Sequence, residues 1–240
     1  MPRSLVDWGF TRATPTPAGV SGSRGDYLGF NLASHVGDDP VAVQSNRRAL
    51  AAQLGVATRE LIFMNQVHGS QVVVADGPWS GDPPEADAVL TTTPGLALAV
   101  LVADCTPVLL VDEEAGVAGA VHAGRPGLLA GVVPAAVHAA RDLGARRLRA
   151  AVGPSVCGRC YEVPAAMREE VAADNPLSAT VSWTGTPALD VAAGVVAQLR
   201  QLDVALTWVP GCTRESPRFY SYRRQPRTGR FAGVVRMWTP

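Results

Sequence analysis

The sequence contains no lysine, so all 21 of its basic residues are arginine. Schiff-base chemistry and P-loop nucleotide binding both need a lysine amine and are excluded. Recognition of phosphate or carboxylate must fall to guanidinium forks, which grip such groups in bidentate fashion. Histidine is scarce, at positions 35, 68, 122 and 138 only, and cysteine equally so, at 105, 157, 160 and 212. At 240 residues a chain buries a large core without disulfide staples. The charges balance to zero, which argues against a nucleic-acid partner, since that calls for a clustered basic face. Long apolar runs are missing too: the longest, Leu96–Val102, stops at Asp104, far short of the ~20 residues that span a bilayer. The opening MPRSLVDWGF lacks the apolar centre of a signal peptide. These absences predict a cytoplasmic protein with reduced thiols and no membrane segment.

What is present is a folded α/β pattern. Hydrophobic residues make up 47% and charged residues 18%, ordinary values for a globular chain. A first helix is expected from a cap at Asp38 or Asp39 through Pro40, Val43, Leu50 and Leu54 to Gly55. β-type runs follow at Leu61–Val67, Gln71–Val74, Asp87–Leu90, Leu96–Val102, Val108–Val111 and Val117–His122. Further on, helices are predicted over Gly127–Leu143, Pro164–Ala173 and Val191–Leu202, and strands over Leu148–Val152, Ala205–Val209, Phe219–Tyr222 and Phe231–Met237. Consecutive strands in the middle point to an antiparallel or mixed sheet, and the whole to an α/β or α+β mixed-sheet sandwich with flanking helices. The Gly77–Pro84 stretch reads as a surface loop, so residues 1–240 are counted as a single domain.

Three side chains stand out by position. His68 ends one apolar run beside Gly69, His122 ends another just before Ala123-Gly124, and Cys105 follows Leu96–Val102 and precedes Pro107. A strand end next to glycine presents a side chain at the sheet rim and lets a ligand approach the backbone. Two imidazoles and a thiolate with a fourth place open form a recognised catalytic zinc arrangement. A buried thiol with two satisfied imidazoles is the other reading of the same residues.

A resemblance runs through nearly the whole chain. It is carried by Asn31-Leu32, Gly37-Asp38-Asp39, Asn46-Arg47, Gln66-Val67-His68-Gly69, Ala86-Asp87-Ala88, Ala103-Asp104-Cys105-Thr106-Pro107, His122-Ala123-Gly124, Gly153-Pro154 and Cys160-Tyr161-Glu162-Val163, then by Ser221-Tyr222-Arg223-Arg224 and Thr228-Gly229-Arg230. Together these resemble the bacterial YfiH-type family, once labelled polyphenol oxidase or laccase-domain and now described as zinc-dependent purine nucleoside phosphorylases with adenosine deaminase and methylthioadenosine phosphorylase activities. The resemblance implies a fold like that of cytotoxic necrotizing factor, and Zn2+ held by His68, Cys105 and His122. The substrates it implies are adenosine, inosine or methylthioadenosine together with phosphate, acted on by a monomer or small homo-oligomer. It places Asp104 among the catalytic residues, either orienting a ligand or bonding substrate, with a turn-capping role as the alternative. Gln66, Arg125, Arg223, Arg224 and Arg230 are the expected substrate-binding residues, the arginines as the phosphate grip, with a solvated basic face as the other reading of the arginine cluster.

The chain departs from the family pattern in two places. Relatives usually read His-Ala-Gly-Trp-Arg-Gly, whereas this sequence has His122-Ala123-Gly124-Arg125-Pro126-Gly127, without the aromatic residue and with the arginine one place earlier. Cys157 stands where a small residue is common and creates Cys157-Gly158-Arg159-Cys160. With no second such pair, this is read as two loop thiols, and Cys212 as a packed residue beside the site. Three other functions compete. A copper-dependent polyphenol oxidase would need more imidazoles than four. A metal-free hydrolase would use Cys105 as nucleophile with His122 or His68 as base. A non-catalytic nucleoside binder would have lost turnover with the altered Arg125-Pro126 segment.

Overall fold

The computed structural model describes residues 6–238; the first five and last two residues, counted above within the single domain, lie outside it. Twelve strands and five α-helices occur among the described residues. The first helix, α1 (Pro40–Gln53), starts as its sequence predicts: the Asp39 side chain accepts the Val41 N–H at 2.9 Å, and Pro40 fills the first turn, where its missing N–H costs nothing.

Two larger sheets stack face to face. One has the order β1 (Val6–Phe10), β12 (Phe231–Met237), β5 (Ala97–Val102), β2 (Leu61–Ile62). The other runs β11 (Ala205–Trp208), β8 (Arg149–Val152), β6 (Thr106–Asp112), β7 (Val117–Ala123), β4 (Ala88–Thr91), β3 (Val72–Val74). Both mix parallel and antiparallel pairs, as in β3 with β4 and β4 with β7. Strand periodicity explains the layering, because alternate residues face opposite sides. Leu109 and Val111 point between the sheets to meet Leu98, Val100 and Phe231. Val108 and Leu110 point outward under α3 (Val132–Asp142) and α5 (Val191–Gln201), against Val133, Val137 and Leu199. Across the other sheet, Ala99 and Leu101 pack with Leu50 and Ala51 of α1. Burial on both faces makes these strands read as continuous apolar runs. The mixed-sheet sandwich with flanking helices is the observed architecture, and no described helix is long and apolar enough to cross a membrane.

Several elements differ from expectation for physical reasons. The run at Leu61–Val67 forms a ladder only over Leu61–Ile62, with one isolated bridge from Asn65 to Glu85; next to it the Gln66 side chain reaches β5, donating to the Leu101 carbonyl and accepting the Leu101 N–H, both at 2.8 Å. The helix expected over Gly127–Leu143 is two helices, α2 (Arg125–Leu129) and α3, broken at Gly131 with φ of +78°. Pro134 accounts for the break, since its ring would clash in a continuous helix but fits the first turn of a new one. Phe219–Tyr222 is not a strand: Phe219 and Tyr220 are buried as side chains, and the Tyr220 hydroxyl donates to the Tyr27 carbonyl at 2.9 Å. Strand β1 and the hairpin of β9 (Ala179–Val181) with β10 (Pro187–Leu189) were not anticipated. Helix α4 (Ala165–Asp174) matches its prediction within a residue.

Candidate active site

Antiparallel register brings the three donors together. Strand β7 lies between β4 and β6 and runs against both, with Ala88 opposite Val121 and Pro107 opposite His122. The end of β7, the start of β4 and the start of β6 therefore share one edge of the sheet. His122 sits at the first, Asp87 just before the second and Cys105 just before the third. The loop carrying His68 folds over that edge. The side-chain donor atoms of His68, Cys105 and His122 all lie within 4.8 Å of one another. His68 Nε2 is 3.8 Å from Cys105 Sγ, and the two imidazole rings meet edge to face at 4.7 Å.

A residue the sequence reading did not single out organises this cluster. Asp87 is completely buried, and its carboxylate accepts the backbone N–H groups of Val67, His68 and Gly69 at 3.3, 3.0 and 2.6 Å. It also bonds His122 Nδ1 at 2.7 Å. One carboxylate thus fixes the His68 loop and sets the His122 tautomer, leaving Nε2 for the cavity, a service that metal-ligating histidines generally receive. The loop needs this restraint: His68 has φ of +62°, a conformation that costs free energy and persists only where surroundings over-determine it; Asp104, at φ of +95° in the loop before β6, is held instead by Thr213, Arg223 and Val156.

The electrostatics follow from the geometry. Burial would raise the Cys105 pKa, but the His122 charge and hydrogen bonds from both imidazoles lower it to about 6. Burial would lower that of His122, yet the Cys105 thiolate and then Asp87 raise it to about 9. Burial also works against the Asp87 charge and is outweighed by the His122 hydrogen bond and the Gly69 and His68 N–H groups, so its pKa stays below the usual carboxylate range. At neutral pH both shifts favour a thiolate on Cys105 beside an imidazolium on His122 in the metal-free pair.

A cavity of about 590 Å³ opens above the cluster, within the ordinary size range of small-molecule sites, about 300–1,000 Å³. Arg125, Arg223 and Arg230 line it, with Tyr161, Tyr222 and His35. Arg223 stacks on the Tyr161 ring at 4.5 Å and donates to the Glu162 carbonyl at 3.0 Å. Arg230 is held by the Thr228 and Gly229 carbonyls through one Nη, and Arg125 is 3.9 Å from Glu170. The structure does not bring Arg224 to the cavity; its guanidinium donates to the carbonyls of Thr213, Arg214, Ser216 and Phe219. Gln66 lines the wall with its amide committed to Leu101. Asp104 bonds the Thr213 hydroxyl at 2.6 Å and the Arg223 N–H at 2.7 Å, so its carboxylate joins three loops. His138 is exposed on α3, remote from the cluster in sequence and outside the cavity lining.

The donor set suits a metal ion of borderline softness, and the backbone leaves room for one to sit close. At Gly124, an added Cβ would lie 2.7 Å from His68 Cδ2 and 3.3 Å from Cys105 Sγ. Only glycine lets the chain after β7 pass beneath two of the donors. Gly124 marks a close approach already in the sequence, but not which donors lie over it; Asp87 could not be picked out by residue type, since an aspartate before a strand reads as turn punctuation.

The family described as multi-copper polyphenol oxidoreductase laccase matches residues 12–238. The chain belongs to that family. It is 54% identical over 232 residues to a purine nucleoside phosphorylase of Streptomyces coelicolor, covering 95% of this chain and 91% of that one. It is 49% identical over 230 residues to a purine nucleoside phosphorylase of Mycobacterium tuberculosis, covering 94% and 91%. Among solved structures, YlmD from Geobacillus stearothermophilus superposes with a TM-score of 0.87 at 27% identity, covering 98% of this chain and 93% of that one. The YfiH-type resemblance carried by the sequence motifs is thereby shown. The family's copper label finds little here: among the described residues, two of the four histidines enter the donor cluster.

Proposed function

We propose that this chain is a zinc-dependent purine nucleoside phosphorylase of the cytoplasm, with adenosine deaminase and methylthioadenosine phosphorylase activity from the same site. The carrying observation is the convergence of His68, Cys105 and His122 on the floor of a cavity whose walls carry three arginines. The names of the relatives from Streptomyces and Mycobacterium support the reading.

In phosphorolysis a phosphate oxygen forms a bond to the ribose carbon C1′, the bond from C1′ to the purine breaks, and its electron pair passes to the leaving base, which takes up a proton. Arg230, Arg223 and Arg125 supply the guanidinium forks that hold the anion for this attack. Their positions are set in advance, by carbonyls for Arg230 and by the Tyr161 ring and Glu162 carbonyl for Arg223, so little ordering is left for the moment of reaction. Tyr161 and Tyr222 give the cavity aromatic surface for a purine. His68, Cys105 and His122 would hold the zinc, which when bound supplies electrostatic stabilisation of developing negative charge and activation of water for deamination. Asp87 keeps His122 in the tautomer this requires.

The test is release of free base from inosine, adenosine and methylthioadenosine with and without phosphate. Phosphate-dependent release that disappears in Cys105→Ala supports the reading, and release that persists in that variant removes the cluster from the mechanism. The thiolate–imidazolium pair favours one second reading, a metal-free hydrolase with Cys105 as nucleophile. Rapid alkylation of Cys105 in the protein as purified, with activity unaffected by chelator, would establish it instead.

A further inference from the structure

A second group of metal-ligating side chains lies behind the cavity wall. The donor atoms of Cys157, Cys160, Cys212 and Glu215 all fall within 4.8 Å of one another. The sequence alone offers only the Cys157–Cys160 pair as an incomplete site; the fold supplies the missing half from a distant segment. We propose that these four residues bind a structural zinc ion, separate from the cluster of His68, Cys105 and His122.

Each half of the site is a single turn with two donors on one side. The N–H groups of Cys160 and Tyr161 both donate to the Cys157 carbonyl, at 2.9 and 3.1 Å, which folds the first pair. In the second, the Ser216 N–H donates to the Cys212 carbonyl at 3.0 Å, so Cys212 and Glu215 project together. The halves are clamped by backbone: Ser155 N–H to the Gly211 carbonyl at 3.2 Å, and Thr213 N–H to the Ser155 carbonyl at 3.0 Å. The donors already touch, with Cys160 Sγ 3.4 Å from Glu215 Oε1, and Trp183 Nε1 donates to that same oxygen at 3.3 Å. A hydrogen bond on the ligand carboxylate is what metal sites use to fix its direction.

Donor chemistry chooses the occupant. Three thiolates with one carboxylate select a soft or borderline ion, and four protein ligands leave no place for substrate, the pattern of a closed tetrahedral zinc site. In such a site ligand atoms stand about 3.5–4 Å apart, by the usual Zn–S length of about 2.3 Å, so the observed spread needs only a small contraction. A disulfide would use two of the sulfurs and leave the third thiol and the carboxylate crowded without a cation.

The site would act through the cavity wall. Val156 and Tyr161, on the segment carrying Cys157 and Cys160, line the cavity, and the Val156 N–H donates to the Asp104 carbonyl at 3.0 Å. Thr213, beside Cys212, bonds the Asp104 carboxylate. Zinc here would staple the two loops that back this side of the substrate site.

The deciding experiment counts zinc per chain by mass spectrometry after dialysis against zinc and gel filtration, for wild type, His68→Ala/Cys105→Ala and Cys157→Ser/Cys212→Ser. The expected result is two zinc ions in wild type and one in each double variant. One ion in wild type and none in His68→Ala/Cys105→Ala would overturn the proposal while leaving the phosphorylase reading intact. Should Cys157→Ser/Cys212→Ser fail to fold, thiol counting in folded His68→Ala/Cys105→Ala decides. The three remaining thiols should be unreactive until chelator is added; immediate reaction, or a Cys157–Cys160 disulfide in the mass spectrum, contradicts the site.

Discussion

Two buried aspartates sit at opposite ends of the six-stranded sheet and use one physical device for two purposes. Asp112, at the end of β6, accepts the N–H groups of Glu114, Ala115, Arg146 and Arg147 and ties two loops together. Asp87, at the cavity end, gathers three N–H groups in the same way but spends a fourth contact on His122. A carboxylate that collects backbone donors holds its loops wherever it sits. At one end the loops carry no member of the donor cluster, and at the other they carry the reactive side chains, so the same bonds become part of the site.

The contrast is sharpest under substitution. Asp87→Asn turns one of the two accepting oxygens into an NH2 that faces N–H donors and removes the negative charge beside His122, so unfolding of the metal-free chain in urea should show a loss of about 3–5 kcal/mol. Zinc affinity at the cavity should fall about 10–100-fold in titration. Asp112→Asn should lose about 2–3 kcal/mol from its orphaned donors, with kcat/KM per folded molecule unchanged. A fall in kcat/KM per folded molecule, or in zinc affinity, for Asp112→Asn would show that its loops also serve the site. The pH dependence of Asp112 sharpens it. Burial opposes the Asp112 charge, but the N–H groups of Arg147, Ala115, Arg146 and Glu114 prevail and hold its pKa below the usual range. A depressed folded pKa contributes stability that is present above the unfolded value, near about 3.9, and lost as pH falls through the folded value. The gap between wild type and Asp112→Asn should be level around neutrality and narrow below about pH 4.

The arginines repeat the contrast on a smaller scale. Arg230 faces the cavity, and Arg230→Ala should raise KM for phosphate about tenfold or more, the worth of a charge-assisted hydrogen bond. Arg224 is turned onto four carbonyls, and Arg224→Ala should cost about 1–2 kcal/mol of stability with KM for phosphate unchanged. Steady-state kinetics beside thermal unfolding distinguish the pair.

Much of this was legible in the chain, because strands buried on both faces announce themselves as apolar runs and rim residues stand out where those runs stop. His68, Cys105 and His122 were found that way. What stayed hidden depends on register and direction. Arg223 and Arg224 are neighbours in sequence, and nothing in their spacing says that one guanidinium faces the cavity and the next faces backbone. Asp87 precedes an apolar run as any turn residue might; only the pairing of β4 with β7 sets it beside His122. Cys212 and Glu215 lie far along the chain from Cys157 and Cys160, and a parallel bridge at Ser155 is what joins them. The Phe219–Tyr222 segment misled because buried aromatics resemble a strand even where the backbone turns.

Diffraction from the zinc-loaded protein at the zinc absorption edge locates the metal. A cavity-floor zinc site gives an anomalous peak bounded by His68 Nε2, Cys105 Sγ and His122 Nε2, lost in Cys105→Ala. Density at full zinc occupancy elsewhere with none among those three atoms would contradict it.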